Sequence, residues 1–253
     1  MIKIKILNTE HEKFSNENSG LSILVENNEE TILFDTSLGN EIIDKIKDKH
    51  INFLVLSHGH IDHTDGLRFI NLKKVKKLVT HPSCFKPRFY KKTPIGIPVS
   101  LDFCKQKTEV KLTTKPLKLT KNVIFLGEIP RINFFEKIKP VTIESEIPDF
   151  VEDDSAIAIK TSKGTIIITG CSHSGICNII NFAKEVTKQR VIGVIGGFHL
   201  FNFKQAKQTI EFLKNEKIEL VRPMHCLSKE AFKLFEQEGF KKIKTNEELI
   251  FEE

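Results

Sequence analysis

Apolar and polar positions alternate, or short apolar runs stand between turn residues, at five places in the first third of the chain. Each pattern predicts a short strand, and together they cover residues 2–7, 21–25, 31–34, 53–56 and 75–80. The second and third of these flank a polar turn at 27–30, which indicates a hairpin. Isoleucines at helical spacing predict a helix over 39–49.

The strand pattern starts again in the second half, where helical patterns now lie between strands. Strands are predicted at 123–126, 156–161, 165–169, 190–195 and 219–222, and helices at 174–187, 204–214 and 228–238. The turn at Lys163 and Gly164 joins the second and third of these strands in a hairpin. Ser228 is the expected N-cap of the last helix, which Gly239 ends.

The order of these elements predicts an α/β fold in a single domain over residues 1–253. No linker or internal repeat divides the chain, and the least regular stretch, 83–122, is expected to be an insertion or a substrate loop. Two mixed sheets packed face to face with helices outside, a four-layer αββα sandwich, satisfy the pattern. Periodicity alone does not choose this sandwich over a doubly wound sheet.

The charge of the chain is mildly basic and spread along its length. Lysine and arginine number 39 against 33 acidic residues, a formal charge of +6, and the densest basic stretches are 73–77 and 88–92. We interpret these stretches as solvated surface, or as a rim that attracts a small anionic substrate, because no nucleic-acid motif accompanies them. A nucleic-acid partner is therefore not favoured.

The cysteines and the N-terminal residues predict a cytoplasmic protein. The five cysteines are odd in number and scattered, without a C-x-x-C pair, which argues against a disulfide framework or a zinc finger. Residues 1–7 alternate like a strand, unlike a signal peptide, and no run reaches the roughly 18 apolar residues of a membrane span. No membrane partner is expected, and a homo-oligomer is left open.

A dense cluster of metal-ligating side chains directly follows a predicted strand. Residues 57–63 read Ser-His-Gly-His-Ile-Asp-His. Since residues two apart point the same way in an extended loop, His58 and His60 can reach one metal. Asp62 and His63 are offset and can reach a second. Three imidazoles and a carboxylate suit Zn, Fe, Mn or Ni, whereas a chance cluster of surface side chains is disfavoured by this density.

Two metals need more ligands than this loop supplies, and three further histidines stand where predicted strands end. They are His173, His199 and His225, and α/β proteins build their sites at the carboxyl ends of strands. Cys171 brings a thiolate close to His173 along the chain. Singly, each histidine would more often be a core or turn residue, but together with the first loop they are candidate ligands.

Residues 57–64 resemble the H-x-H-x-D-H signature of the metallo-β-lactamase superfamily. Residues 33–36, Leu-Phe-Asp-Thr, are similar to an earlier motif of the superfamily, whose aspartate, here Asp35, orients the metal loop by hydrogen bonds without binding a metal itself.

A narrower resemblance runs through the second half of the chain. Motifs of one branch occur in order at 127–131 (Gly-Glu-Ile-Pro-Arg), 153–155 (Asp-Asp-Ser), 169–176 (Thr-Gly-Cys-Ser-His-Ser-Gly-Ile), 196–200 (Gly-Gly-Phe-His-Leu) and 225–226 (His-Cys). This branch includes the archaeal dihydropterin synthases of methanopterin biosynthesis and their bacterial relatives. The resemblance covers nearly the whole chain and is weakest over 83–122.

The resemblance implies an αββα fold and two divalent ions, Zn, Fe or Mn, with Mg a further option for activity. The implied ligands are His58, His60 and His173 for one ion, and Asp62, His63 and His225 for the other. Asp62 would also be catalytic. Cys171 falls where many members place a bridging Asp, so it is a ligand or bridging group unless His173 has taken over that role. His199 and Arg131 would contact the substrate.

Two positions depart from the branch and bear on metal and substrate choice. Asp65 replaces the first of two glycines after the metal loop and adds a carboxylate close to the metals. Leu227 and Ser228 replace a Thr-Gly pair after His225 and Cys226.

The resemblance implies two uses of the metal ions. In a synthase-like transferase, a pterin methyl diphosphate bound by the ions and Arg131 would lose pyrophosphate as an arylamine attacks its methylene carbon. In the commoner hydrolase chemistry, water attacks a phosphodiester, an ester or a cyclic ester or amide, and Asp62 takes up a proton. The transferase is our first prediction and the hydrolase the alternative, with a metal or ligand sensor as a weaker third.

Overall fold

The computed structural model describes residues 1–9, 19–27, 30–136, 141–142 and 148–253. The chain divides into two compact units. Unit 1 comprises Met1–Thr114, Pro140–Asp153 and Lys244–Glu252, and unit 2 comprises Lys115–Lys139, Asp154–Ile243 and the terminal Glu253.

The strands and helices are numbered along the chain. The strands are β1 (Ile2–Asn8), β2 (Ser22–Glu26), β3 (Thr31–Phe34), β4 (Ile51–Val55), β5 (Val75–Thr80), β6 (Phe89–Tyr90), β7 (Thr93–Pro94), β8 (Glu109–Leu112), β9 (Leu117–Lys118), β10 (Val123–Phe125), β11 (Val141–Thr142), β12 (Pro148–Asp149), β13 (Ala156–Lys160), β14 (Thr165–Thr169), β15 (Val191–Gly196), β16 (Leu220–Pro223) and β17 (Glu248–Phe251). The helices are α1 (Ile43–Ile46), α2 (Ile61–Thr64), α3 (Leu101–Lys105), α4 (Ile176–Thr187), α5 (Phe203–Asn215) and α6 (Lys229–Gln237).

Unit 1 is built on a seven-stranded mixed sheet of order β17-β1-β2-β3-β4-β5-β8. Its first four strands pair antiparallel, and β3, β4, β5 and β8 run parallel. The cross-strand neighbours Leu33, Leu54 and Leu78 are buried in one core. Because β3 and β4 pair in parallel with Phe34 opposite Val55, the loops that follow them begin at the same edge of the sheet.

Unit 2 is built on a six-stranded mixed sheet of order β16-β15-β14-β13-β10-β9. Strands β14, β15 and β16 are parallel and in register, with Thr169 opposite Gly196 and Gly196 opposite Pro223. Ile167 and Val194 of these strands share a core with residues of α4, α5 and α6. The loops after the three strands therefore start at one level of one sheet edge.

The predicted α/β class with two mixed sheets is confirmed, as are both predicted hairpins, β2–β3 and β13–β14. The helix predicted over 39–49 is wrong in length, because α1 spans only Ile43–Ile46. Gly39 is left-handed and Ile42 offers no capping side chain, so the helix starts late. Strand β17 was not predicted. Among the described residues, no helix is long and apolar enough to cross a bilayer.

The irregularity predicted for residues 83–122 is only partly right, because the segment contains α3 and β8. β8 forms an edge of the seven-stranded sheet. Its parallel pairing with β5 stabilises a strand there, although the sequence shows little periodicity. That the segment is an insertion or substrate loop in a single domain stays a prediction.

Helix α4 begins without a capping side chain on its N-cap residue, Gly175, whose φ is 95°. Glu136, at the end of a short 3-10 helix, supplies the cap: its Oε1 accepts from the Cys177 amide at 2.8 Å and its Oε2 from the Asn178 amide at 3.0 Å. A Cβ at Gly175 would lie 2.5 Å from Glu136 Oε2, so only glycine lets the carboxylate approach. Burial raises the pKa of Glu136.

Replacing Glu136 with alanine is expected to destabilise the protein, because two buried amides of α4 lose their acceptor. At about 1–3 kcal/mol for an unsatisfied buried donor, the free energy of unfolding should fall by about 2 kcal/mol or more. Urea unfolding followed by circular dichroism measures this. Glu185→Ala, exposed on the same helix, is the control and should change stability by under about 0.5 kcal/mol. Equal losses in both variants would contradict the capping role.

Candidate metal centre

The four predicted ligands of unit 1 lie close together in a loop that leads from β4 into α2. His58 Nε2 is 2.9 Å from His60 Nδ1, and the ring centroids of His58 and His63 are 4.3 Å apart. The Asp62 carboxylate lies 3.7 Å from His63 Nε2. The three histidines are buried, whereas the Asp62 side chain is 16% exposed. The loop therefore offers three buried imidazoles and one carboxylate that solvent can reach.

Asp35 braces this loop from the end of β3. It is fully buried and left-handed, with φ 56°. Its Oδ1 accepts from the Ser57 amide at 2.7 Å, and its Oδ2 lies 2.7 Å from both the Ser57 hydroxyl and His63 Nδ1. A proton on Nδ1 shared with the carboxylate leaves Nε2 of His63 as the nitrogen for a metal.

Replacing Asp35 with alanine is expected to weaken metal binding by about 10–100-fold, as loss of the group that orients a ligating histidine does. Titration of metal-free protein with Zn²⁺ measures the affinity. Asp44→Ala, whose side chain is 94% exposed, is the matched control and should bind Zn²⁺ like the wild type. Unchanged affinity in a folded Asp35 variant would show that the brace does not orient His63.

A buried network of hydrogen bonds and ion pairs, which the sequence did not predict, holds the backbone of the metal loop. The Gly59 amide donates to Asp153 Oδ2 at 2.7 Å. Arg88 donates from Nε to Asp149 Oδ2 at 2.6 Å and from Nη2 to Asp153 Oδ1 at 2.5 Å. A Cβ on Gly59 would lie 2.0 Å from the Cys84 carbonyl oxygen and 2.4 Å from Arg88 Nη1. Only a glycine at this position therefore lets the loop backbone approach Cys84 and Arg88 so closely.

One prediction about charged residues is wrong, and another stays a prediction. Arg88, assigned with residues 88–92 to solvated surface or a charged rim, is only 1% exposed, because its two carboxylate partners compensate its burial. Asp65, expected as an extra carboxylate close to the metals, has its Oδ2 bound by the Gly39 amide and by Arg68. The Asp65 carboxylate therefore has two structural partners, and its closeness to the metals stays a prediction.

Part of the segment 83–122 contacts the metal loop directly. The Ile61 amide donates to the Ile95 carbonyl at 2.8 Å, and His60 forms a β-bridge with Gly96. These backbone contacts hold residues 95 and 96 against the metal loop.

Electrostatics favours metal binding by His60. Burial lowers its pKa to about 3, and the positive charges of Arg88 and His63 act in the same direction against Asp62. The imidazole is neutral at pH 7, which is the form that binds a metal. A neutral imidazole beside a carboxylate fits a borderline divalent ion.

The predicted ligands of unit 2 follow the three parallel strands β14, β15 and β16. Ser172, His199 and His225, one after each strand, have left-handed φ values of 58°, 48° and 58°. Such backbone costs about 1–3 kcal/mol per residue and concentrates at functional sites. The ring centroids of His173 and His199 are 4.3 Å apart, so two of the three predicted histidines lie side by side.

The loop that carries His173 is held by Asp154. Its Oδ2 accepts from the Ser174 amide at 2.9 Å and from the Ser174 hydroxyl at 2.5 Å. Burial raises the pKa of Asp154 to about 6, against the hydrogen bonds from Ser174 and the positive charge of Arg131. Arg131 is exposed.

Cys226 is a further residue for which the sequence predicted no role. Single donor atoms of Cys171, His199 and Cys226 lie within 4.8 Å of one another. Burial of Cys226 opposes ionisation, but its interactions with Cys171 and His199, and the charges of His225 and His199, outweigh burial and hold its pKa well below that of an ordinary thiol. The only sequence signal was its position directly after His225.

The fold and these donors define a metal-binding α/β protein, and the chain belongs to the metallo-β-lactamase superfamily, whose family model matches residues 16–184. It is similar to the 7,8-dihydropterin-6-methyl-4-(β-D-ribofuranosyl)-aminobenzene-5'-phosphate synthase of Methanocaldococcus jannaschii, with 34% identity over 248 residues, 87% of this chain and 84% of that protein. An uncharacterised protein of the same organism is 31% identical over 238 residues, 89% of this chain and 90% of that protein.

The fold is also similar to that of a metal-dependent hydrolase of the β-lactamase superfamily. The TM-score is 0.83 at 23% identity, and the match covers 100% of both chains. These findings confirm the family predicted from the motifs.

Proposed function

We propose that this protein is a metal-dependent transferase that acts on the diphosphate of a pterin-type alcohol and releases pyrophosphate. The observation that carries the proposal is the 34% identity to a dihydropterin-type synthase over 87% of the chain. The positive charge of the exposed Arg131 supports an anionic substrate, since a guanidinium matches the geometry of phosphate oxygens.

Two divalent ions, Zn, Fe or Mn, would be bound by the side chains that the motifs imply as ligands. The proposed ligands are His58, His60 and His173 for one ion and Asp62, His63 and His225 for the other. The neutral His60 and the orientation of His63 by Asp35 support this assignment in unit 1. When bound, the ions supply Lewis acidity that neutralises charge on the diphosphate.

The residues of the chain bind and orient the reactants in this proposal. An arylamine nitrogen forms a bond to the methylene carbon, the carbon–oxygen bond to the diphosphate breaks with its electron pair, and the amine proton passes to a base. We assign that base to Asp62, because its carboxylate is the partly exposed one of the loop. Arg131 would bind the leaving pyrophosphate, and His199 would contact the substrate.

The test is incubation of the metal-loaded protein with 6-hydroxymethyl-dihydropterin diphosphate and an aminobenzoate-type amine. Coupled pterin product and stoichiometric pyrophosphate are expected, and Arg131→Met should raise KM for the diphosphate more than it lowers kcat. Lys121→Met, exposed in the same unit, is the control. Cleavage of a bis-aryl phosphodiester without coupling would replace the transferase with the alternative hydrolase. A protein inert toward diphosphates, esters and phosphodiesters with all metals tried would be the sensor.

A further inference from the structure

We propose that Cys171, His199 and Cys226 form a third metal site in unit 2, which binds a thiophilic divalent ion such as Zn²⁺ through two thiolates and one imidazole. This goes beyond the proposed function, because it does not depend on which reaction the two-ion centre performs. It also gives Cys171 and His199 a different role from bridging and direct substrate contact.

The sheet topology brings the three residues together. The parallel strands β14, β15 and β16 end in register at Thr169, Gly196 and Pro223. Cys171 comes two residues after the end of its strand, and His199 and Cys226 come three residues after theirs. The loops are tied to each other at the backbone, since the Gly197 amide donates to the Gly170 carbonyl at 2.8 Å. The cluster is thus set by the sheet and its connections.

The donor atoms are close enough for one ion. One atom from each of the three residues lies within 4.8 Å of the others, and the Cys226 thiol is 3.5 Å from the Cys171 carbonyl oxygen. In a tetrahedral zinc site, Zn–S bonds of about 2.3 Å and Zn–N bonds of about 2.0 Å place ligand atoms about 3.3–3.8 Å apart. Because the donor atoms are at most 4.8 Å apart, rotamer adjustments of up to about 1–1.5 Å would complete the coordination.

The backbone of Gly197 approaches both cysteines closely, so no side chain at that position comes between them. A Cβ on Gly197 would lie 2.6 Å from Cys226 Sγ and 3.3 Å from Cys171 Cα, so a side chain at that position would occupy the cluster. The cysteines are 4% and 3% exposed. His199 has a buried Nδ1 with no hydrogen-bond partner in the part of the chain that the structure describes, which is a nitrogen suited to a metal.

The chemistry of this set differs from that of the metal loop in unit 1. Two sulfurs and one nitrogen, without a carboxylate, select thiophilic ions over Mg²⁺ or Mn²⁺. Three protein ligands leave a fourth position open to water or to a ligand atom.

The experiment is a Cd²⁺ titration of metal-free, thiol-reduced, full-length protein, followed by the thiolate-to-cadmium charge-transfer band in the ultraviolet. We expect three bound equivalents in the wild type and a strong band. Cys226→Ser should bind two equivalents and lose at least half of the band. Its affinity for the third ion should fall by at least about 100-fold, because loss of a group that only orients a ligand already costs up to about that much. Cys104→Ala, a buried cysteine of unit 1, is the control and should behave like the wild type.

Two further variants keep the test decisive. His199→Ala changes a half-buried residue and should also reduce binding from three equivalents to two, even if a cysteine variant fails to fold. His58→Ala should remove one equivalent of the two-ion centre and leave the thiolate band intact. Two equivalents in the wild type, or three with an unchanged band in Cys226→Ser, would overturn the site. A band lost in His58→Ala would return Cys171 to the two-ion centre.

Discussion

Replacing His60 with alanine is expected to remove one metal ion and to lower turnover by at least about 1,000-fold, because metal Lewis acidity contributes several kcal/mol to transition-state stabilisation. His60 is buried, and its low pKa keeps the ring neutral over the whole physiological range. Its Nδ1 also lies 2.9 Å from His58 Nε2, so the loss disturbs a neighbouring ligand. Elemental analysis gives the metal content, and the pterin coupling assay gives kcat.

The matched control is His50→Ala, because His50 is exposed and lies just before β4. It should retain full metal content and full turnover. A folded His60 variant that keeps both would show that the ligand assignment in unit 1 is wrong, whatever the reaction proves to be.

Replacing Arg88 with methionine is expected to lower the free energy of unfolding by about 3–5 kcal/mol, the usual cost of breaking a buried ion pair by removing one partner. Asp149 and Asp153 would both be left buried without their cation. Because Asp153 also accepts from the Gly59 amide, we expect the metal loop to lose order and Zn²⁺ affinity to fall as well. Urea unfolding and Zn²⁺ titration measure the two effects.

Arg190→Met is the control for this prediction, because Arg190 and Glu219 form an ion pair whose side chains are 59% and 65% exposed. Exposed pairs contribute about 0–1 kcal/mol, so this variant should be close to the wild type. If the free energy of unfolding of the Arg88 variant falls by a similarly small amount, water or a local rearrangement compensates the two carboxylates. In that case the buried network does not stabilise the metal loop.

Local patterns determined much of the fold and half of the candidate centre. Strand β5 and the two hairpins follow from apolar periodicity and turn residues, since these depend on near neighbours in sequence. The cluster His58, His60, Asp62 and His63 was visible for the same reason, because six consecutive positions after a strand carry the donors. The position of Asp35 was predicted from a motif, but its contacts with Ser57 and His63 required the pairing of β3 with β4.

Only the tertiary structure decided the roles of residues whose partners are distant in sequence. Arg88 looked like one more surface cation, yet it pairs with carboxylates 61 and 65 positions away. Glu136 caps a helix 41 positions on, and Cys226 meets Cys171 because three strands end in register. A charged side chain that is buried with a partner distant in sequence produces no periodic pattern of apolar and polar residues, so the sequence does not reveal it. The sequence by itself determined which chemistry is present, and the pairing of strands decided which side chains can act together.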